Sequence, residues 1–159
     1  MNEAEDVSAE LVIAGEGPHR EVIELVVEEV CNEDSVHVVG YIERDFVYKM
    51  LHEIDCLVMP SRWEGHSAAV LQAMAAGVPC VLSEIPSFES QYSDDVVVFH
   101  DVNSPSDLAR AIQDVITSKE NLGDRGYEYV RPHYTVERMA KQYAEVFRDI
   151  SNSNDHPKP

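Results

Sequence analysis

The segment 60–67 concentrates polar residues whose types could do chemistry. Glu64 and Gly65 stand there between an apolar run at 56–59 and a stretch of small apolar residues at 67–76. The run is typical of a buried strand and the stretch of a helix buried on most sides, so the segment would lead into a helix N-terminus. Helix N-termini at the carboxyl ends of strands present free N–H groups and favour anions such as a diphosphate. Many α/β proteins carry such a loop, so the pattern predicts an anion site without naming its ligand.

The rest of the chain alternates short apolar runs with amphipathic stretches. Strands are predicted at five runs, namely 11–14, 36–39, 56–59, 79–82 and 96–99. Helical stripes of apolar residues separate most of them, and a last helix is predicted after Thr135. This alternation predicts an α/β fold with a doubly wound parallel sheet, covered by helices on both faces.

The composition is strongly acidic, with 30 Asp and Glu residues against 12 Lys and Arg residues and a formal net charge of -18. Such a charge repels phosphate backbones, so nucleic acid is not expected as a partner and membrane contact is disfavoured. A single nucleotide in a local pocket stays compatible with it. A high-salt cytoplasm, where screening removes most of the self-repulsion, is one explanation, and an ordinary acidic protein is the other.

Targeting and metal-binding signals are not found in the sequence. The first residues are acidic and polar, and no stretch approaches the roughly 18 apolar residues that a membrane span needs. The three cysteines have no close pair, which predicts neither a disulfide framework nor a zinc site. We therefore expect a cytoplasmic protein. Residues 1–9 are interpreted as an acidic leader, 10–150 as one domain and 151–159 as a disordered tail.

Several motifs, in a fixed order, resemble those of the family 4 glycosyltransferases. They are the segment 11–18 (LVIAGEGP), the segment 38–41 (VVGY), Pro60-Ser61, Glu64-Gly65 and the run 71–79 (LQAMAAGVP). The resemblance extends over about 10–150. It implies the C-terminal, donor-binding domain of a retaining enzyme with the Rossmann-like GT-B fold. Such an enzyme transfers a sugar from a nucleotide-sugar to an acceptor and requires no metal or other cofactor.

The resemblance also assigns roles around the family's E-x7-E motif. Glu64 takes the position that contacts the donor sugar and is the candidate catalytic residue. Gly65, His66 and Ser67 fall in the segment whose backbone N–H groups approach the sugar and phosphates, and His66 is interpreted as a loop side chain rather than a catalyst. The second motif position, which binds the ribose hydroxyls, holds Gln72 instead of Glu. An amide offers one acceptor oxygen where a carboxylate offers two, which weakens this contact by about 1 kcal/mol.

Four further residues are assigned by the resemblance to the donor site. Gly15 and Gly17 line the turn after the first strand, and Gly40 and Tyr41 resemble the segment that flanks the nucleotide base. Glycines also end strands for purely structural reasons, so this alternative stays open. Trp63 is interpreted as packing beneath the loop.

Two parts of the family's pattern are missing from this sequence. The resemblance implies a central first strand and a Gly-Arg…Lys-Gly segment that holds the diphosphate, whereas residues 1–9 are acidic and poor in apolar residues. Arg62 is the one basic residue near enough in sequence to be considered as a substitute. Without the central strand, the neighbouring strands would lack a pairing partner.

The second missing part is the N-terminal domain with the acceptor site. The N-terminal part of the same enzyme is therefore the expected partner, together with an unknown acceptor, and the chain alone is expected to be inactive. Two alternatives remain. One is a degenerate module that binds a nucleotide or a partner protein without catalysis, and the other is a nucleotide-sugar epimerase, which segment 64–79 fits less well.

Overall fold

The computed structural model describes residues 9–30, 35–118 and 121–153. Strands and helices alternate from the first strand to the fifth, and every strand pair is parallel. The predicted α/β class is thus confirmed. The chain divides into two compact units, Met1–Met50 and Leu51–Pro159. The predicted leader lies outside the described residues, except for Ala9.

The first unit pairs β1 (Leu11–Ala14) with β2 (Val36–Gly40), and its helices are α1 (Arg20–Val30) and α2 (Arg44–Met50). The register shifts by one residue between Ile13 and Ala14, so Ala14 lies opposite Gly40. Because the two strands pair in parallel, their carboxyl ends lie at the same edge, which is where ligands bind in open parallel sheets.

The second unit contains a three-stranded sheet in the order β3-β4-β5. Its strands are β3 (Leu57–Met59), β4 (Cys80–Ser83) and β5 (Val98–His100). Its helices are α3 (Ala68–Ala75), α4 (Pro86–Glu89), α5 (Pro105–Thr117), α6 (Leu122–His133) and α7 (Val136–Ser153). All four residues of the central strand β4 are buried, as a strand covered on both faces should be.

The described strands thus form two sheets, and both β1 and β3 have one edge without a partner strand among the described residues. An open strand edge carries unpaired N–H and C=O groups, which favour pairing with a further segment.

The core of the second unit is closed by a small polar network at the carboxyl ends of its strands. The Ser83 hydroxyl donates to the Met59 carbonyl oxygen at 3.3 Å and lies 3.3 Å from His100 Nε2. His100 Nδ1 lies 3.0 Å from the Asp101 carbonyl oxygen, an arrangement that suits a proton on Nδ1. Ser83 and His100 are buried, so these bonds provide for polar groups that would otherwise be costly to bury.

Helix boundaries follow ordinary capping chemistry. Gly77, with φ of +76°, follows the end of α3, where a glycine in this conformation commonly ends a helix. The Ser104 hydroxyl accepts from the Asp107 N–H at 3.2 Å, and Pro105 is the first residue of α5. The last helix begins at Val136 as expected but extends to Ser153. The interpretation of residues 151–153 as disordered tail was therefore wrong, and residues 154–159 lie outside the described part.

Candidate functional site

The loop 60–67 connects β3 to α3 in the second unit, as the sequence predicts. Glu64 is half-buried, and its carboxylate oxygen Oε1 accepts a hydrogen bond from the Ser61 hydroxyl at 3.0 Å. The bond spans three residues and holds the Glu64 side chain against its own loop. A carboxylate fixed in this way can accept hydrogen bonds from ligand hydroxyls without first being ordered.

The N-terminus of α3 directly follows this loop. Ser67 is the N-cap residue, with extended backbone angles of φ -75° and ψ 110°, but its side chain makes no capping hydrogen bond. The first N–H groups of α3 therefore lack the partner that a capping serine usually supplies. Together with the helix dipole, these donors give the end of the loop a partial positive charge that suits an anion.

Gln72 lies in α3 and is half-buried, eight residues beyond Glu64. Trp63 is 90 % exposed, so the interpretation that it packs beneath the loop was wrong. Arg62 and Gly65 of the same loop are exposed as well, so Trp63 lies in a part of the loop that is open to solvent.

The first unit brings its predicted residues together at the ends of β1 and β2. The Gly15 N–H donates to the Gly40 carbonyl oxygen at 2.7 Å. The Tyr41 N–H donates to the Glu16 carboxylate at 3.2 Å, so the two loops are joined twice. Tyr41 is 75 % exposed, which leaves its ring free to stack on a flat ligand.

The glycines of this region differ in how strictly they are required. Gly15 and Gly40 have φ of +133° and +71°, values that disfavour any residue with a side chain. A Cβ at Gly40 would also lie 2.3 Å from Arg20 Nη1 and 2.5 Å from Glu16 Oε1. A Cβ at Gly17 would meet nothing within 4 Å, so packing does not require glycine there.

Arg20 was not anticipated from the sequence. Its guanidinium binds Glu24 at 2.8 Å and Glu16 at 2.7 Å. The hydrogen bond with Glu24 and the charge of Glu16 raise the pKa of Arg20 above its usual value. These two carboxylates offset the arginine charge, and Glu16 in turn positions the Tyr41 N–H.

Two further residues near the loop 60–67 were also missed. The Gln91 side-chain amide donates to the Gly65 carbonyl oxygen at 3.0 Å, and the ring of Tyr134 lies 5.3 Å from that of His66, centroid to centroid. Neither residue belongs to a motif, and their distance along the chain leaves no spacing signal.

Metal-binding clusters and membrane-spanning helices are both absent from the described ranges. No group of three or more His, Cys, Asp or Glu residues there could hold a metal ion. Within the same part of the chain, no helix combines the length and apolar character needed to cross a membrane.

Parallel strands, glycine turns at their carboxyl ends and a polar loop before a buried helix are typical of α/β domains that bind ligands at the carboxyl ends of their strands. The chain belongs to the family of glycosyl transferases group 1, whose family model matches residues 1–131. It is 26% identical over 157 residues to N-acetyl-alpha-D-glucosaminyl L-malate synthase of Bacillus anthracis, covering 96% of this chain and 41% of that protein. It is 28% identical over 142 residues to a GDP-mannose-dependent alpha-(1-6)-phosphatidylinositol dimannoside mannosyltransferase of Mycobacterium tuberculosis, covering 89% of this chain and 32% of that protein.

Solved structures show the same fold. Sucrose-phosphate synthase from Thermosynechococcus elongatus superposes with a TM-score of 0.82 at 24% identity, covering 91% of this chain and 39% of that one. The Anabaena protein HepE, solved in complex with UDP-glucose, superposes with a TM-score of 0.78 at 16% identity, covering 88% and 41%. The chain thus spans about two fifths or less of the length of these similar proteins.

Proposed function

We propose that the chain is the nucleotide-sugar-binding part of a retaining glycosyltransferase. The observation that carries the proposal is the loop 60–67, where a Glu64 carboxylate held by Ser61 stands before the uncapped N-terminus of α3. Membership of the glycosyltransferase family supports it, as does the fold shared with a protein that was solved with UDP-glucose. In the first unit, Gly15, Gly17, Gly40 and Tyr41 are proposed to contact the donor.

The proposed chemistry uses the two ends of the loop differently. Backbone N–H groups of Gly65, His66, Ser67 and the first turn of α3 bind the donor's diphosphate, and Glu64 accepts hydrogen bonds from hydroxyls of the sugar. The bond between the anomeric carbon and the diphosphate oxygen breaks, and the acceptor oxygen bonds to the same face of that carbon. The acceptor's proton passes to the leaving diphosphate. The helix dipole and the N–H groups stabilise the charge that develops on the diphosphate, so the proposal includes no metal.

Nucleotide binding is testable because Trp63, the single tryptophan, is exposed within the loop. We expect the fluorescence of Trp63 to change on titration with UDP-glucose or GDP-mannose, with a dissociation constant weaker than micromolar. Gln72→Glu should strengthen binding about fivefold, since it restores a second acceptor oxygen for the ribose hydroxyls. Glu64→Ala should weaken binding of the nucleotide-sugar more than of the free nucleotide.

The matched control is Gln113→Glu, which adds the same charge at an exposed position of α5. Because both variants raise the net negative charge equally, general repulsion cannot account for a difference between them. Equal affinity in Gln72→Glu and Gln113→Glu would remove Gln72 from the site. The proposed function would be contradicted if millimolar ligand changed neither the fluorescence of Trp63 nor the NMR chemical shift of the Gly65 amide.

A non-catalytic binding module is the second candidate function. Gln72 in place of a carboxylate favours it, because an amide offers the ribose hydroxyls a weaker contact. Arg20 is also paired with two glutamates, which offset its positive charge. Turnover distinguishes the two functions. An enzyme should transfer sugar once the acceptor-binding part is supplied, whereas a degenerate module should bind nucleotide but stay inactive with that part present.

We also propose that the N-terminal part of the same enzyme covers α7. This helix exposes an apolar stripe whose members are between 52 and 72 % exposed, namely Val136, Met139, Tyr143, Val146, Phe147 and Ile150. An exposed stripe of this kind marks an interaction surface. We expect the chain alone to self-associate with rising concentration in sedimentation experiments, and co-expression with the N-terminal part to abolish this. A monomer at all concentrations, unchanged by the added part, would contradict the proposal.

A further inference from the structure

Three consecutive residues of the loop 60–67 are each held by a different part of the second unit. Glu64 is held by Ser61 from within the loop. The Gly65 carbonyl is held by Gln91, which follows α4, and the His66 ring lies against Tyr134 at the end of α6. Glycine at position 65 would leave a loop backbone unusually free, so these contacts compensate for a flexible residue.

The anchor of Gln91 is itself rigid. Phe88, three residues earlier, is completely buried, and its carbonyl oxygen accepts the Gln91 N–H at 3.0 Å. Tyr129 of α6 donates its hydroxyl hydrogen to the Gln91 carbonyl oxygen. The Gln91 backbone is therefore fixed from two sides before its side chain reaches the loop.

The side-chain amide of Gln91 uses both of its N–H groups on carbonyl oxygens. They donate to Gly65 at 3.0 Å and to Ser87 at 2.7 Å. The amide nitrogen of Gln91 donates hydrogen bonds, whereas its oxygen only accepts them. The nitrogen must therefore be the atom that faces the two carbonyl oxygens, which fixes the orientation of the amide. As a result, its oxygen Oε1 is buried without a hydrogen-bond partner among the described residues. Such an arrangement costs stability and points to a reason other than folding for the contact with Gly65.

The consequence for the loop follows from the planarity of the peptide bond. The Gly65 carbonyl and the His66 N–H belong to one trans peptide unit, in which they point in opposite directions. When Gln91 holds the carbonyl on its own side, the His66 N–H is directed to the opposite side of the loop. The orientation of that donor is therefore set by a residue 25 positions away in sequence.

Resting on the proposed function, we propose that Gln91 is a positioning residue that orients the His66 amide N–H toward the phosphates of the donor. Gln91 itself does not touch the donor. Its contribution concerns ligands that carry the diphosphate, because the base and ribose of a nucleotide do not use this N–H group.

The test compares Gln91→Met with the wild-type chain. Methionine keeps the length and most of the volume of glutamine but removes both donors and the unpaired acceptor. In the free protein, we expect a changed chemical shift and faster hydrogen exchange of the His66 amide, with a melting temperature unchanged or higher. Affinity for UDP-glucose or GDP-mannose, whichever the wild type binds, should fall about fivefold or more, while affinity for UMP or GMP should change less than twofold.

Gln113→Met, at an exposed site of α5, is the matched control and should alter none of these readouts. An unchanged His66 amide in Gln91→Met would overturn the inference whatever the ligand does. Equal losses for the sugar nucleotide and the monophosphate, together with a lower melting temperature, would show a merely structural role and also overturn it. Lack of binding by the wild type would contradict the proposed function, and the His66 amide alone then decides whether Gln91 positions it.

Discussion

The two units of the chain use the same sequence pattern but bury it to different extents. The apolar core residues of the described structure all lie between Leu51 and Val130, in the second unit. In the first unit, Gly40 is the only described residue that is buried, and apolar side chains on β1 and α1 stay open. Those that are 38 to 58 % exposed are Leu11, Val12, Val22, Ile23, Leu25 and Val26.

Charge separates the two units in the same direction. The first 50 residues hold 13 of the 30 acidic residues but only 3 of the 12 basic ones. Self-repulsion per residue is thus greater where the apolar burial is smaller, and both effects lower local stability. The comparison shows that an apolar stripe in the sequence predicts a helix or a strand. How much apolar surface that helix or strand buries depends on the other segments that pack against it.

The largest expected effect is a matched pair of leucine truncations. Leu82→Ala, in the fully buried strand β4, should lower the free energy of unfolding by about 2–5 kcal/mol through lost burial and a cavity. Leu25→Ala, at a side chain that is 58 % exposed, should change it by less than about 0.5 kcal/mol. Urea unfolding followed by circular dichroism measures both.

The control for the two leucine variants is to repeat the unfolding measurements at several protein concentrations. If self-association covers α1, the Leu25→Ala cost should grow with protein concentration, while that of Leu82→Ala should not. Equal costs at the lowest concentration would break the comparison, because they would show that the first unit has a core of its own.

A pair of glycine substitutions gives the next effect in size. A Cβ at Gly123 would lie 1.9 Å from the carbonyl oxygen of Gly77, so α6 has to move away from the end of α3. We expect Gly123→Ala to cost about 1–3 kcal/mol despite the higher helix propensity of alanine. Gly17→Ala in the first unit should be neutral or slightly stabilising, since the space around it is open. Thermal melts of both variants measure this, and a neutral Gly123→Ala would contradict the close packing of α3 against α6.

The fold was largely predictable because periodicity and capping are local. The five strands and the start of the last helix were found from residues within a few positions of each other. The helix α6 was missed, because Gly123, Gly126 and Pro132 are poor helix formers and two of them face α3 or its end through close packing. The division into two sheets follows from strand pairing over long distances, which no local pattern shows.

The backbone of the candidate site was predictable from the sequence, whereas the residues that hold its loop in place were not. The position of Glu64, Gly65 and Ser67 in a loop before a helix was predictable, because an apolar run and a helix start flank them in sequence. Their role in binding stays a prediction. Gln91 and Tyr134 approach the loop only after β4, α4 and α6 have packed. A side chain such as Gln91, which acts through a hydrogen bond to a carbonyl far away in sequence, produces no motif or spacing that can be recognised in the sequence.

The smallest expected effect concerns the buried hydroxyl of Tyr92 in the core of the second unit, and whether water reaches it. Tyr92 is 4 % exposed, and its hydroxyl has no hydrogen-bond partner among the described residues. Tyr92→Phe should therefore leave stability at pH 7 unchanged or raise it by up to about 1 kcal/mol. Tyr48→Phe in the first unit, at a side chain that is 47 % exposed, is the matched control and should have no effect.

The pH dependence of the same pair sharpens the contrast. Burial raises the pKa of Tyr92 in the folded chain, so the hydroxyl stays protonated there at a pH where the unfolded chain has begun to ionise. Its contribution to stability is complete below the unfolded value of about 10 and declines as the pH rises above it. Urea unfolding between pH 7 and 10.5 should thus show a smaller fall in the free energy of unfolding at alkaline pH for Tyr92→Phe than for the wild type.

Part of this alkaline loss of stability should remain in Tyr92→Phe, because burial also raises the pKa of Cys56, to about 11. An identical alkaline loss in the wild type and Tyr92→Phe would mean that water reaches this hydroxyl and that the core of the second unit is more open than its burial indicates.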